Sequence, residues 1–325
     1  MRRLLIPALL ATLIPVAGCR SRVSPGPEWL QSAPRGCQVA FSAEARWLLE
    51  HKEFQTLMAQ SKLAEQALDL FLSRARIAPH LETGRITFFV LDLPTLDKPN
   101  TSDLGKAFLI RLSGFKNPKN LYIALADSFP AEGSLRAGGK DLPLHMIMDV
   151  NQFNIRALAD PDGPIWIGDI RALATLGAKA PGPRSPLRRA GEWVNPSAAF
   201  QGFLLPDSLL ARLPVDRLPK GWSSELPKGL EALAWSIQPA ADPKAPHRLE
   251  LAVAGSPDGI SQTVPWLQRL VAISNSLDPN ARQVAELIQE KDRAGIRCSL
   301  NQEQLNSLMA KLGQPAFRVG PGPKA

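Results

Sequence analysis

Short apolar stretches of β-type composition recur along the chain, each closed by turn residues, and this limits the fold more than any other feature. Arg85–Asp92 (RITFFVLD), Lys106–Ser113 (KAFLIRLS), Asn120–Ala126 (NLYIALA) and Leu142–Val150 (LPLHMIMDV) form one series, opened by Gly36–Phe41. Lys98-Pro99-Asn100 and Gly138-Gly139 punctuate it. Ala199–Leu205, Ala232–Gln238 and Arg248–Ala254 form a second series. Runs this short, bounded by Gly, Pro and Asn, read as neighbouring strands of a largely antiparallel sheet. Val284–Glu290 and Gly295–Leu300 read as a hairpin, because Ile296, Cys298 and Leu300 alternate with Arg297 and Ser299.

Helical spacing appears between these runs. Apolar residues from Phe54 through Leu57, Leu68 and Phe71 to Ala75 follow a 3.6-residue period, with Ser42 as a candidate cap and Pro79 as the stop. Thr263–Ser276 is helical, with Val264, Leu267, Leu270 and Val271 on one face. In the last helix Asn301 is the cap, Gln304 completes a capping box, and Leu305, Leu308, Met309 and Leu312 share a face. Regular βα alternation is missing, so the class is α+β and not a doubly wound parallel sheet.

The two series resemble each other. Ile165-Trp166-Ile167-Gly168 leads into Asp169, Leu173 and Leu176, and Arg297-Cys298-Ser299-Leu300 leads into Asn301, Leu305 and Leu308. Every position corresponds at one offset, which points to an internal duplication. The expected layout is a first half over 37–180, a Pro- and Arg-rich connector over 181–196 (PGPRSPLRRAGEWVNP) and a second half over 197–312. Each half should be an antiparallel sheet partly covered by helices. The segment 313–325, with three prolines in the Gly313–Ala325 stretch, reads as a disordered tail.

The N-terminus follows a different logic. Arg2 and Arg3 precede an apolar run from Leu4 to Val16, and small residues and a cysteine close it: the order of a secretory signal peptide over 1–18. The run falls well short of the roughly 20 residues that cross a bilayer. Val16-Ala17-Gly18-Cys19 resembles the lipobox of bacterial lipoproteins. The resemblance implies that Cys19 is acylated and becomes the first mature residue, attached to the membrane by its lipid. Arg20, not aspartate, follows Cys19, which implies the outer membrane, facing the periplasm, in a double-membraned cell. Residues 19–36, with three prolines in RSRVSPGPEWLQSAPRG, read as a tether between lipid and body.

Loss of Arg2 and Arg3 lowers the formal charge from +8 to +6, spread along the chain and too diffuse for nucleic acid. With Cys19 lipidated, Cys37 and Cys298 remain as one candidate disulfide in an oxidising compartment; two buried thiols are the other reading.

No catalytic constellation is legible. His51, His80, His145 and His247 lie in four separate segments without metal-ligand spacing, so no metal or cofactor is expected. A Gly-x-Ser-x-Gly elbow and a phosphate loop are both missing. Asp160-Pro161-Asp162-Gly163 reads as a hairpin turn, lacking the later ligands of a calcium loop. Trp47, Trp166, Trp235 and Trp266 read as core; Trp29, Trp193 and Trp222 read as loop or tether residues. Trp193 beside Arg188 and Arg189 is the candidate contact for an envelope protein partner. A carrier or sensor of an apolar ligand is the alternative, and an enzyme without a recognisable motif the least favoured. The layout of 40–312, with KAFLIRLSGF and IWIGDIRAL, is similar to envelope proteins of Acidobacteria-like bacteria, a likeness that implies a two-half α+β fold and no catalytic residues.

Overall fold

The computed structural model describes residues 27–34, 36–50, 73–78, 84–91, 107–137, 139–150, 153–177, 185–205, 229–240, 245–277, 284–301, 303–304 and 307. The leader, the lipobox with Cys19, most of the helix from Phe54, His51, His80, Trp222 and the C-terminal tail lie outside them.

In chain order the elements are α1 (Glu28–Gln31), β1 (Val39–Glu44), α2 (Ala45–Glu50), β2 (Arg85–Val90), β3 (Phe108–Ser113), α3 (Pro118–Ser128), β4 (Ala131–Ala137), β5 (Lys140–Val150), β6 (Phe153–Ala159), β7 (Ile165–Asp169) and α4 (Ile170–Leu173). There follow α5 (Pro186–Gly191), β8 (Phe200–Leu204), β9 (Leu230–Gln238), β10 (His247–Gly255), α6 (Pro257–Asn275), β11 (Ala285–Gln289) and β12 (Arg293–Leu300). All twelve strands belong to one sheet, in the order β11-β12-β10-β9-β8-β1-β2-β3-β7-β6-β5-β4, and every neighbouring pair is antiparallel. The α+β class therefore holds, with one difference. The expected two sheets are a single one, because β1 pairs β8 from Val39↔Leu204 to Ala43↔Phe200.

Period-2 alternation feeds two apolar layers. On one face α3 packs Leu121, Ala124 and Leu125 against Ala157, Ala159 and Ile165, and α6 packs Ile260, Val264, Leu267 and Leu270 against Val253, Ile296 and Leu300. On the other, α1, α4 and α5 cover Phe89, Leu109, Leu158, Trp166 and Phe203. Ser256 caps α6 by accepting from Gly259 N at 3.1 Å, so Ser256-Pro257-Asp258-Gly259 forms its cap and first turn. The Asn301–Gln304 capping box is reciprocal: Asn301 N donates to Gln304 Oε1 at 2.9 Å and Gln304 N to Asn301 Oδ1 at 2.8 Å. Asp160-Pro161-Asp162-Gly163 is a turn between β6 and β7, with Asp162 N bonded to Asp160 Oδ1 at 3.2 Å and Gly163 N to Asp160 O at 3.1 Å.

Five expectations are corrected. Asn120–Ala126 is not a strand but the body of α3, where Pro118 suits the first turn and Leu121, Ala124 and Leu125 fall on one helical face. Ser42 is no helix cap; it lies inside β1, its hydroxyl 2.8 Å from that of Thr87. Trp266 is not core, being one of the exposed large apolar side chains, on the outer side of α6. Residues 27–34, expected as part of a tether, belong to the body: Pro27 is buried, and Trp29 and Leu30 of α1 are each 3% exposed in the core. Finally, Cys37 and Cys298 are free thiols and form no disulfide. Cys37 sits in the layer of α1 and Cys298 in the layer of α6, and four strand spacings of about 4.8 Å separate β12 from β1.

Candidate functional site

The face that carries α1 and α5 is chemically divided along its strands. An apolar row crosses it beneath α1: Leu109, Phe89, Ala40, Phe203, Ala234 and Ala252, each directly opposite the next. Two residues further along each strand, on the same face, Arg111, Thr87, Ser42 and Gln201 fall in line. The line continues through Ser236, Glu250, Arg297 and Glu286, giving one unbroken polar row across eight adjacent strands.

Burial makes the hydrogen bonds of this row obligatory. Ser42, Thr87 and Gln201 are fully buried, and Arg85 Nε donates to Ser42 Oγ at 3.0 Å. Burial lowers the pKa of Arg85, and Glu44 opposes that shift. Gln201 is the hub. Its Oε1 accepts from Trp29 Nε1 at 2.6 Å, and its Nε2 donates to the carbonyls of Pro196, Asn195 and Ala198 at 2.7, 3.1 and 3.2 Å. One buried amide thus ties the segment before β1 to the loop before β8. Trp29 completes the tie by stacking on Phe203, with ring centroids 5.7 Å apart.

Over β9, β10 and β12 a cleft of about 400 Å³ opens between the sheet and residues 192–196. Ser236, Glu250 and Arg297 reach it from the polar row, Gln238 and Arg248 from the row beyond, and Trp193 from the loop. Glu250 is fully engaged: Oε2 accepts from Ser236 Oγ at 2.7 Å and from the Asn195 backbone N–H, and Oε1 pairs with Arg297 Nε at 3.3 Å. Glu192 pairs with Arg293 at 3.1 Å, and the Arg293 guanidinium lies 5.0 Å from the centre of the Trp193 ring. Trp193 rests over Gly295, where a Cβ would sit 3.3 Å from Cε3. Arg248 is exposed, and its side chain has no hydrogen-bond or ion-pair partner among the described residues.

Of the three expected contact residues, Trp193 is half-buried and lines this cleft. Arg189 is held elsewhere: Nη1 donates to Asp292 at 2.7 Å and Nη2 to Glu231 at 2.8 Å, fastening α5 to β9 and to the β11–β12 turn. Its hydrogen bond holds the Asp292 carboxyl below the usual aspartate range. Arg188 occupies α5, with its backbone N–H bonded to the Ser185 cap. Arg248, Glu250 and Arg297 do not stand out as site residues in the sequence, where their alternation marks a face but not the partners lying across it.

A second cleft of about 370 Å³ lies between residues 32–34, β5 and β7, with Pro34, Leu142, Trp166 and Leu176 in its walls and a Lys140–Asp160 pair at 3.0 Å beside it. The Lys140 hydrogen bond lowers the Asp160 pKa. Among the described residues no group of three or more His, Cys, Asp or Glu is placed to hold a metal ion, and no helix is long and apolar enough to cross a membrane. His145 Nδ1 lies 3.0 Å from the Phe129 carbonyl, and His247 Nδ1 accepts from Ala240 N at 3.2 Å, in separate surroundings. Burial pushes the Cys37 thiol up to about 12 and raises that of Cys298. The chain matches no family model, no curated protein and no solved structure.

Proposed function

We propose that this is a lipid-anchored protein of the cell envelope that binds a protein partner through the cleft beneath Trp193, in a non-catalytic role. The anchor reading rests on the leader and on Cys19 behind Val16-Ala17-Gly18, with the outer membrane and periplasm as its setting. One observation carries the binding reading: an exposed arginine without a partner, Arg248, stands beside a half-buried indole, Trp193, over a floor of hydrogen-bonding side chains. Aromatic and arginine side chains around a water-excluding pocket are the composition of contact hot spots. The cleft's carboxylate supports binding over catalysis, because Glu250 is held in place by Ser236, the Asn195 backbone N–H and Arg297. The complementary partner presents a carboxylate to Arg248 and an apolar group to Trp193.

Affinity capture of the lipidated chain from its native membranes, followed by protein and lipid mass spectrometry, tests this. A stoichiometric protein that is lost on Arg248→Glu supports the reading, and copurifying lipid without a protein overturns it. The cleft walled by Leu142, Trp166 and Leu176 favours a second reading, a carrier or sensor of an apolar ligand; that reading expects lipid in the same capture.

We also propose that the fold arose by internal duplication. The strand orders β1-β2-β3-β7-β6 and β8-β9-β10-β12-β11 run outward from the central pair, and a helix follows the third strand of each, α3 and α6, on the same face. Independent expression of the two halves, each folding, would support it.

A further inference from the structure

We infer that the face carrying α1 is held toward the lipid surface, so that the cleft beneath Trp193 opens into the narrow space between body and membrane. The inference rests on the lipid anchor at Cys19 proposed above.

The first argument is length. Eight peptide units separate Cys19 from Pro27, and whatever their conformation they span at most about 29 Å. The body end of this link is fixed on one face. Trp29 is buried and stacked on Phe203, its Nε1 bonded to Gln201, and Arg111 Nη2 reaches Glu28 at 2.7 Å. A Cβ built on Gly191 of α5 would come within 4.0 Å of the Pro27 ring, so the link enters beside α5. These contacts lie over β8, β2 and β3, near the middle of the twelve strands and not at an edge.

For the opposite face, with α3 and α6, to meet the membrane, the link would have to round a strand end and pass both helix layers. Half a strand, the two sheet-to-helix separations and a helix radius make that path about 35 Å, longer than the link can reach. Charge adds to geometry. Arg20 and Arg22 lie in the link, and Arg188 and Arg248 belong to the α1 side of the sheet, all of a sign that anionic headgroups attract.

The test uses the lipidated full chain in vesicles of phosphatidylethanolamine and phosphatidylglycerol. A fluorophore is placed at Ser197→Cys, beside the cleft, or at Ile123→Cys, which is 52% exposed on α3. Cys37 and Cys298 are buried and stay unlabelled. Energy transfer to an acceptor-headgroup lipid should be several-fold stronger from residue 197 than from residue 123. Equal transfer, or stronger transfer from 123, overturns the inference. A long Gly/Ser insertion between Val23 and Ser24 should erase the difference, and a difference that survives it overturns the length argument. Sedimentation with the vesicles reads the anchor separately. If the chain does not pellet, the lipid reading fails, and the same two labels on a chain held to nickel-chelating lipid by a histidine tag in place of residue 19 still decide the orientation.

Discussion

Gln201 is the residue on which the architecture around the cleft depends most, and Gln201→Leu isolates its contribution. Leucine nearly conserves the volume of a fully buried side chain and keeps the apolar contacts, so the change removes hydrogen bonds and little else. Four partners lose their bond: Trp29 Nε1 and the carbonyls of Asn195, Pro196 and Ala198. They do not lose equally. Pro196 is exposed and Asn195 half-buried, so water can reach their carbonyls, and the buried Ala198 carbonyl keeps Arg85 Nη1 at 2.9 Å, whereas the Trp29 N–H is buried with no other partner. One stranded buried group, the Trp29 N–H, at about 1–3 kcal/mol, with little from the three carbonyls, puts the loss at about 1–3 kcal/mol. Urea unfolding followed by tryptophan fluorescence reads this as a lower midpoint at unchanged slope. Trp29→Phe removes one bond of the same set while keeping a ring on Phe203, so its effect and that of Gln201→Leu should fall short of additive by about 1 kcal/mol in a double-mutant cycle. A Gln201→Leu loss below about 0.5 kcal/mol, or full additivity, would refute the reasoning that one buried amide ties α1 to the loop before β8.

Other expectations follow from single contacts. Asp292 and Asp160 have carboxyls held low by Arg189 and Lys140, so their stabilisation is present at neutral pH and lost as pH falls through the folded values, below about 3.9; the urea midpoint should drop toward pH 3, and Asp292→Asn should flatten that drop. With both thiols buried and that of Cys37 raised to about 12, neither should react with Ellman's reagent in the folded protein at pH 8, and both should react in urea without a reductant; no reactive thiol in urea until a reductant is added would restore the disulfide. Gly259→Ala places a methyl 2.5 Å from the Gly229 backbone carbon, a neighbour that cannot rotate away, and should cost about 1–3 kcal/mol by the same unfolding assay.

Much of the sheet was legible because its signals are local. Phe88 and Val90 alternate with Thr87 and Phe89 in β2, and β9, β10 and the β11–β12 hairpin show the same period. The Asn301–Gln304 box needs only four residues. What failed was long-range. NLYIALA reads as a strand by composition, yet tertiary packing selects the helical face of Leu121, Ala124 and Leu125. AEGSLRA lacks an apolar alternation, and β4 exists because it borrows the register of β5. Trp29 looked like tether because it stands in a proline-rich segment with little periodic apolar content; its partners Gln201 and Phe203 lie more than 170 residues away. The cleft was half legible. Trp193 stood out as an indole in a proline-rich connector, but Arg248, Glu250 and Arg297 become a site only when Ser42↔Gln201 and the pairings beyond it bring the polar positions of eight strands into one row.

The binding role of the cleft is tested most directly by a photoreactive amino acid placed at Ser197, exposed beside the cleft, with the same residue at Ile123 on the opposite face as control, irradiated in intact cells. We expect a discrete protein adduct from position 197 that is absent from 123 and weakened by Arg248→Glu. Adducts of equal yield from both positions, or lipid adducts alone from 197, would contradict a protein-binding cleft.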